Sequence, residues 1–330
     1  MPSTARILIT GGSGFIGTNL VDLYVRAGHT VASLDTAPPK NSEHADIWQN
    51  VDLLDSSGLA GALRSFRPTH VFHLGARTDL GGTSSGDYLA NSVGTKNVID
   101  AIRAAEGVER VVFTSSMLVC RMGYRPRDEF DICPSTPYGE SKVEMERIIR
   151  ASEIGAIWVI GRPTSIWGPW FGVPYNDFFR AVISGRYVHP RGPVINQSFG
   201  YVGNTVHELD VLAAAEPSRV SEKTFFLADY PPLEFGAWAD AIALHAKAGP
   251  IRRVPMSLLR AVASTGSVLQ RVTGKPMPLT SFRLNNLVTE NVQDLSSMAL
   301  LAGELPFTSD EGIRLTLEWM AENDGRALPA

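Results

Sequence analysis

The 330-residue chain reads as an α/β protein built on a doubly wound parallel sheet, with a smaller α/β lobe interwoven with it. Three observations predict this. A short apolar strand at the N-terminus runs straight into a glycine turn and an amphipathic helix. A second apolar strand follows and ends in an acidic residue, Asp35. Strand and helix patterns then alternate at short spacing as far as Pro163, the rhythm of right-handed βαβ crossovers.

The first strand is Ile7-Leu8-Ile9, an apolar run suited to burial on both faces. Gly11, Gly14 and Gly17 come next at G-x-x-G-x-x-G spacing. The first suits a tight turn, the second lets backbone approach a phosphate, and the third lets the helix pack closely on the sheet. Ile16, Leu20, Leu23 and Ala27 recur at helical spacing, and Gly28 supplies a C-terminal stop. Val31 to Leu34 form the second strand, and Asp35 stands eighteen residues after Gly17. A carboxylate there accepts hydrogen bonds from both hydroxyls of an adenosine ribose and repels a 2′-phosphate, which points to NAD.

After a polar loop over Ala37 to Asn50, the stretch Val51 to Asp55 reads as a short strand, followed by a helix through Leu59, Leu63 and Phe66. Thr69 to Ala76 is a buried strand, Tyr88 to about Glu106 a long helix, and Arg110 to Ser116 the next strand. A helix from Tyr138 through Ile149 leads to a strand over Ala156 to Pro163. Beyond this the segments Trp167 to Phe179 and Tyr187 to Val194 are dense in Pro, Gly and aromatics, a texture that suits either loop packing or the lining of a cleft. Thr308-Ser-Asp-Glu311 is a capping-box pattern before a helix carrying Ile313, Leu317 and Met320 on one face. No linker separates the halves, so residues 1–165 are expected to form the dinucleotide-binding domain and 166–330 mainly the second lobe.

Tyr138 and Lys142 are spaced i and i+4, which puts phenol and ammonium on one helix face. An ammonium beside a phenol stabilises the phenolate and makes it a usable acid/base near neutrality. Ser116, at the end of the preceding strand, is the candidate that hydrogen-bonds the substrate oxygen, with Ser115 the alternative. His73, His189 and His207 read as structural groups, and no metal-ligand spacing appears.

Composition narrows the classes further. A net charge of −4 and pI of about 6.0 give no sign of a nucleic-acid or anionic-membrane surface. Cys120 and Cys133 without a C-x-x-C pair fit reduced, cytoplasmic thiols. No signal peptide and no run of membrane-spanning length is read.

Thr10 to Gly17, TGGSGFIG, resembles at every position the fingerprint of the extended short-chain dehydrogenase/reductase family, the nucleotide-sugar epimerases and dehydratases. Tyr138-x-x-x-Lys142 with Ser116 resembles that family's catalytic set. Asp52-Leu53 looks like its adenine-flanking pair, and His73-Leu74-Gly75-Ala76 like its H-L-A-A strand end. Asn91 looks like its helix asparagine, and Gly161 to Pro169 like its R-x-x-N-x-Y-G-P segment. The resemblance implies that Gly11, Gly14, Phe15, Ile16, Gly17, Asp35, Asp52, Leu53, Leu74, Gly75, Ala76, Asn91, Tyr138, Lys142 and Pro163 hold NAD. It implies Thr78, Ser115, Ser116, Ser165 and Gln197 as contacts to a nucleotide-sugar substrate, and a homodimer through the helices from Tyr88 and carrying Tyr138.

Some positions depart from the family's pattern. Ser165 replaces a common asparagine, Trp167 a tyrosine, and Gln197 lies near a frequent phosphate-binding arginine. Gly203-Asn204 stands where an acidic pair is usual. Met117-Leu118 follow Ser116 where dehydratases carry an Asp-Glu pair, which argues against dehydration. The leading expectation is therefore a redox-neutral epimerase working through a transient keto-sugar. The alternatives are a 4-keto-6-deoxysugar reductase and a non-catalytic NAD-binding protein.

Overall fold

A computed structural model describes residues 4–192, 194–274, 277 and 279–324. Seven parallel strands form the central sheet: β1 (Arg6–Thr10), β2 (Thr30–Asp35), β3 (Trp48–Asn50), β4 (His70–His73), β5 (Arg110–Thr114), β6 (Ile157–Pro163) and one much later in sequence. Their order is β3-β2-β1-β4-β5-β6, with the late strand added beyond β6. The order reverses beside β1, so the carboxyl ends of β1 and β4 diverge and open a crevice there.

Helices cover both faces. α1 (Phe15–Arg26) follows β1, α2 (Ser56–Phe66) follows β3, α3 (Leu89–Ala104) follows β4, and α4 (Pro137–Ala151) follows β5. Leu8, Val71, Val111 and Ile160 point to the face under α2, α3 and α4, while Ile9, Phe72, Val112 and Val159 join the core on the other side. The alternation follows from the two-residue period of a strand.

The predicted strand over Val51 to Asp55 is corrected. The third strand lies earlier, at Trp48–Asn50, paired with Ser33 to Asp35 of β2. Asp55 instead caps α2, its carboxylate accepting from the N–H groups of Ser57 (3.1 Å) and Gly58 (3.0 Å). A capping aspartate competes effectively with strand geometry. Thr136 caps α4 in the same way, accepting from the Gly139 N–H at 3.0 Å.

From β7 (Ser165–Trp167) onward, short pieces surround the sheet's carboxyl end. α5 (Tyr175–Ile183) leads to β8 (Val188–Arg191), β9 (Asn196–Gln197), β10 (Phe199–Tyr201) and α6 (Val202–Ala214). After the short α7 (Pro217–Val220), β11 (Thr224–Leu227) is the sheet's seventh strand, parallel to β6. β12 (Leu233–Glu234), α8 (Phe235–His245), β13 (Arg252–Pro255), α9 (Met256–Thr273), α10 (Ser281–Val288), α11 (Ser296–Ala302) and α12 (Ser309–Asp324) complete the chain.

The aromatic-rich stretch divides between core and cleft. Trp167 and Phe179 are fully buried and meet Tyr201 and Trp238 at ring separations of 5.2 to 5.8 Å. The capping box at Thr308 is formed: the Glu311 carboxylate accepts from the Thr308 N–H at 2.8 Å. Among the described residues no helix is long and apolar enough to cross a membrane.

Candidate active site

A cleft of about 620 Å³ opens at the carboxyl ends of β1, β2, β4, β5 and β6. It collects residues that are far apart in sequence: Gly11, Gly14, Phe15, Ile16, Gly17, Asp35, Asp52, Leu53, Leu74, Gly75, Ala76, Thr78, Ser115, Ser116, Tyr138, Lys142 and Pro163. Its volume suits a bound small molecule.

The glycine turn is forced by close approach. Gly11 has a φ of +74°, and a Cβ there would sit 2.5 Å from the Gly75 nitrogen of the neighbouring strand end. A Cβ on Gly17 would fall 2.1 Å from the Gly11 carbonyl oxygen. The turn therefore lies flat against β4 and aims the first turn of α1, which no side chain caps, at the cleft. Uncapped N–H groups at a helix start attract an anion.

Asp35 closes the far end. Its carboxylate accepts from the N–H groups of Ser13 (3.1 Å) and Ala37 (3.0 Å), which tie the glycine turn to the end of β2. Each oxygen keeps a lone pair for a ribose hydroxyl.

At the other end, Tyr138 and Lys142 project from one face of α4 toward the end of β5. Lys142 is 2% exposed, and its ammonium donates to the Thr114 carbonyl at 3.0 Å. Burial pulls its pKa down to about 8, opposed by the Glu146 carboxylate one turn on. Burial pushes the Tyr138 phenol up to about 12, while the Ser116 hydroxyl pulls the other way and Tyr88 adds to the rise. The shift on this phenol arises from burial, Ser116 and Tyr88, while the Lys142 ammonium makes its hydrogen bond to the Thr114 carbonyl. The Ser116 side chain also accepts from the Leu118 N–H at 3.1 Å, starting the short turn over Met117 to Val119.

Three predicted site residues do not line the cleft. Asn91 is fully buried and holds both backbone groups of Arg77 (2.8 and 2.9 Å) and the Ser141 hydroxyl (2.9 Å). It thereby fixes the loop after β4 against α4 from behind. Ser165 is buried beside the Tyr175 phenol. Gln197 donates to the Asn286 and Thr289 carbonyls at 3.1 and 3.0 Å.

Other residues join the predicted ones in the cleft. Arg77, Leu118, Thr164, Ile166 and Phe171 to Tyr175 line the substrate end. Tyr175 is a second phenol in the cleft, pushed by burial to about 12. The segment reaches the cleft because Pro169 accepts from the Asn19 side chain at 3.0 Å, which brings Phe171 to 6.3 Å from Phe15. The Pro-, Gly- and aromatic-rich texture of Trp167 to Phe179 left core and cleft open, and Phe171 to Tyr175 take the cleft.

The histidines are structural where the geometry is clear. His73 is fully buried between the Thr10 and Thr95 hydroxyls (2.7 and 3.1 Å), and burial lowers its pKa to about 3, so it is neutral. No group of three or more metal-ligating side chains occurs among the described residues.

The arrangement fits a dinucleotide. The Thr114 and Ser115 hydroxyl oxygens are buried at the cleft without a hydrogen-bond partner, and the glycine turn leaves no room for side chains. Orphaned hydroxyls of this kind await a polar ligand. Fold and site together define an NAD-dependent enzyme of the extended short-chain dehydrogenase type. The sequence profile of the NAD dependent epimerase/dehydratase family matches residues 7–188, and the chain belongs to that family, with NAD as its cofactor.

Similar proteins span several substrates. The chain is 31% identical to the 3 beta-hydroxysteroid dehydrogenase/Delta 5→4-isomerase of Mycobacterium tuberculosis, over 71% of this chain and 67% of that one. It is 26% identical to the N-acetyl-alpha-D-glucosaminyl-diphospho-ditrans,octacis-undecaprenol 4-epimerase of Escherichia coli O157:H7, over 95% of each. The solved UDP-glucose 4-epimerase of Thermotoga maritima shares the fold with a TM-score of 0.73 at 20% identity, covering 96% of this chain and 99% of that one.

Proposed function

We propose that the chain epimerises a hydroxyl-bearing carbon of a diphosphate-linked sugar, leaving NAD unchanged overall. The observation that carries this reading is the convergence of Tyr138, Lys142 and Ser116 on one end of a cleft whose other end is the glycine turn and Asp35. The glycine turn, Asp35 and Lys142 would hold NAD, whose chemistry would be reversible hydride acceptance at the sugar carbon. Tyr138 removes the hydroxyl proton as the carbonyl forms and gives it back on reduction. Ser116 donates a hydrogen bond to the developing oxygen. Lys142 keeps a positive charge close to the phenolate and anchors the cofactor. Apolar Leu118 lines the cleft where elimination of water would need a carboxyl group, so a keto-sugar is returned rather than dehydrated. The full-length similarity to a 4-epimerase acting on a diphospho-linked sugar supports the substrate class.

A second reading is oxidation of an apolar secondary alcohol. It is favoured by the substrate end itself, where Leu118, Ile166, Phe171, Val173 and Pro174 are apolar and Arg77 and Lys142 are the cleft's only cations among the described residues. One experiment separates the two. The protein is supplied with nucleotide-linked sugars, lipid-linked sugars and sterols while reduced cofactor and product are followed together. Sugar conversion with no net NADH supports epimerisation. Stoichiometric NADH from a sterol assigns the second reading, and NADH consumed per keto-sugar assigns a reductase.

A further inference from the structure

α9 carries two apolar faces. One is packed: Leu259 and Ala263 join Leu284 of α10 in a small buried cluster, and a Cβ on Gly266 would come 2.1 Å from the Leu279 carbonyl oxygen. The other faces solvent. Leu258, Val262, Val268, Leu269 and Val272 are all exposed, Val272 to 77%. At about 100° per residue these five fall within an arc of about 120° that does not overlap the packed face. Phe282 of α10 is 61% exposed as well.

The charge of this region is as uneven as its polarity. Between Gly249 and Thr289 the sequence holds Arg252, Arg253, Arg260, Arg271, Lys275 and Arg283 and no acidic residue, in a chain whose net charge is −4. Arg260 and Arg271 are exposed on the polar face of α9, about 60–80° round the helix from the stripe's border at Val268. The whole-chain count, which gave no sign of an anionic surface as partner, averages over this segment.

From the exposed stripe and the cationic polar face of the same helix we infer that α9 and the start of α10 are a peripheral docking face for an anionic lipid bilayer. A helix of this kind lies in the headgroup plane, apolar side down, with basic side chains reaching the lipid phosphates. Since no described helix is apolar enough to span, the face lies on the membrane rather than across it. A second copy is the poorer occupant: two-fold pairing would set this acid-free segment, with Arg260 and Arg271, against its own copy.

The face is joined to the cleft. The carboxyl end of α10 is held by Gln197, through the Thr289 carbonyl at 3.0 Å. Two residues on, the Asn291 amide lies 3.5 Å from the sulfur of Met117, the residue after Ser116. Docking would bring the substrate end of the cleft to the bilayer, which suits a lipid-linked rather than a soluble sugar. That consequence rests on the function proposed above, whereas the docking itself does not.

The test is flotation of the full-length protein with phosphatidylcholine vesicles, with and without about one-third phosphatidylglycerol. Val262→Glu/Leu269→Glu and Arg260→Glu/Arg271→Glu doubles are compared, with Val272→Glu as a single change at the exposed end of α9. NAD binding and melting temperature report whether each variant is folded. Binding at least about tenfold stronger to the anionic vesicles, weakened by salt and lost about tenfold or more in folded variants, is the expected result. Equal binding to both vesicles, no binding, or variants that bind like the wild type would overturn it. So would light scattering that finds a wild-type dimer converted to monomer by Val262→Glu/Leu269→Glu. Turnover of a soluble nucleotide sugar by the variants reports separately on the active-site reading.

Discussion

Arg162 holds Glu146 in a buried two-pronged ion pair, with Nε and Nη2 donating to the two carboxylate oxygens at 2.9 and 2.7 Å. The pair fixes α4 to β6, and Glu146 stands one turn beyond Lys142, whose charge it supports. Removing one partner of such a pair leaves an uncompensated buried charge, at a cost of about 3–5 kcal/mol. Glu146→Gln should therefore lower the melting temperature markedly and lower the Lys142 pKa further below about 8. Calorimetry reads the first effect. A shift of the lysine's titration to lower pH, read by NMR of labelled lysine, reads the second; an unchanged Lys142 titration would remove the proposed link.

Tyr138→Phe removes only the phenol oxygen from a side chain packed 5.9 Å from Tyr88. Turnover should fall by about 10²- to 10⁴-fold while NAD affinity stays near the wild type. Lys142→Ala should lower both turnover and cofactor affinity. Near-normal turnover in Tyr138→Phe would remove the proposed acid/base.

Much of this site was legible because its signals are local. The glycine turn, Asp35 and the Tyr138–Lys142 pair each sit within one βα unit or one helical turn, where spacing determines geometry. Misplaced or unseen features depend on distant partners. β3 is fixed at Trp48–Asn50 by pairing with β2, although Val51 to Leu54 is the more apolar run. Phe171 to Tyr175, whose composition left core and cleft open, are brought to the cleft by Asn19 holding Pro169, 150 residues away in sequence. Gln197 was read as a substrate contact, but its amide serves backbone carbonyls of a helix that nothing local had announced.

The Asp35 carboxylate should make NAD the preferred dinucleotide, by at least about tenfold in dissociation constant, or about 1.4 kcal/mol. Lys40 lies close enough to feel that carboxylate, so a cation is at hand once the repulsion is gone. Asp35→Asn should then narrow the preference by raising NADP affinity. Fluorescence titration with both dinucleotides measures it. NADP binding as tight as NAD in the wild type would contradict the assignment.

A homodimer through α3 and α4 remains our proposal. Val98 and Val143 are buried within the chain, whereas Leu89 (48%) and Val93 (44%) are exposed on α3. Leu89→Glu/Val93→Glu should convert a dimer to a folded monomer by light scattering at micromolar concentration. A wild-type monomer under the same conditions would dispose of the interface.

Acid–base linkage provides the last prediction, away from the catalytic residues. Glu208 on α6 is fully buried, no hydrogen bond of ordinary length reaches either carboxyl oxygen, and the Ala228 N–H exerts only a weaker opposing pull. Burial and the nearby Asp229 carboxyl raise its pKa well above the usual range. Asp229 itself, 7% exposed, is pushed up to about 7 by burial, despite hydrogen bonds from Tyr201 N–H (3.0 Å) and Asn204 (2.9 Å). For both carboxyls the folded-state pKa exceeds the unfolded one. The folded protein therefore binds more protons between about pH 4 and 7, and the stability these groups contribute is present at the acid end and lost as pH rises. The melting temperature should thus decline from about pH 5 to pH 8. Glu208→Gln keeps the neutral shape and cannot ionise, so its decline should be shallower and the variant should be the more stable protein at pH 8. A wild type and variant whose melting curves fall in parallel across that range would show that Glu208 is not held protonated.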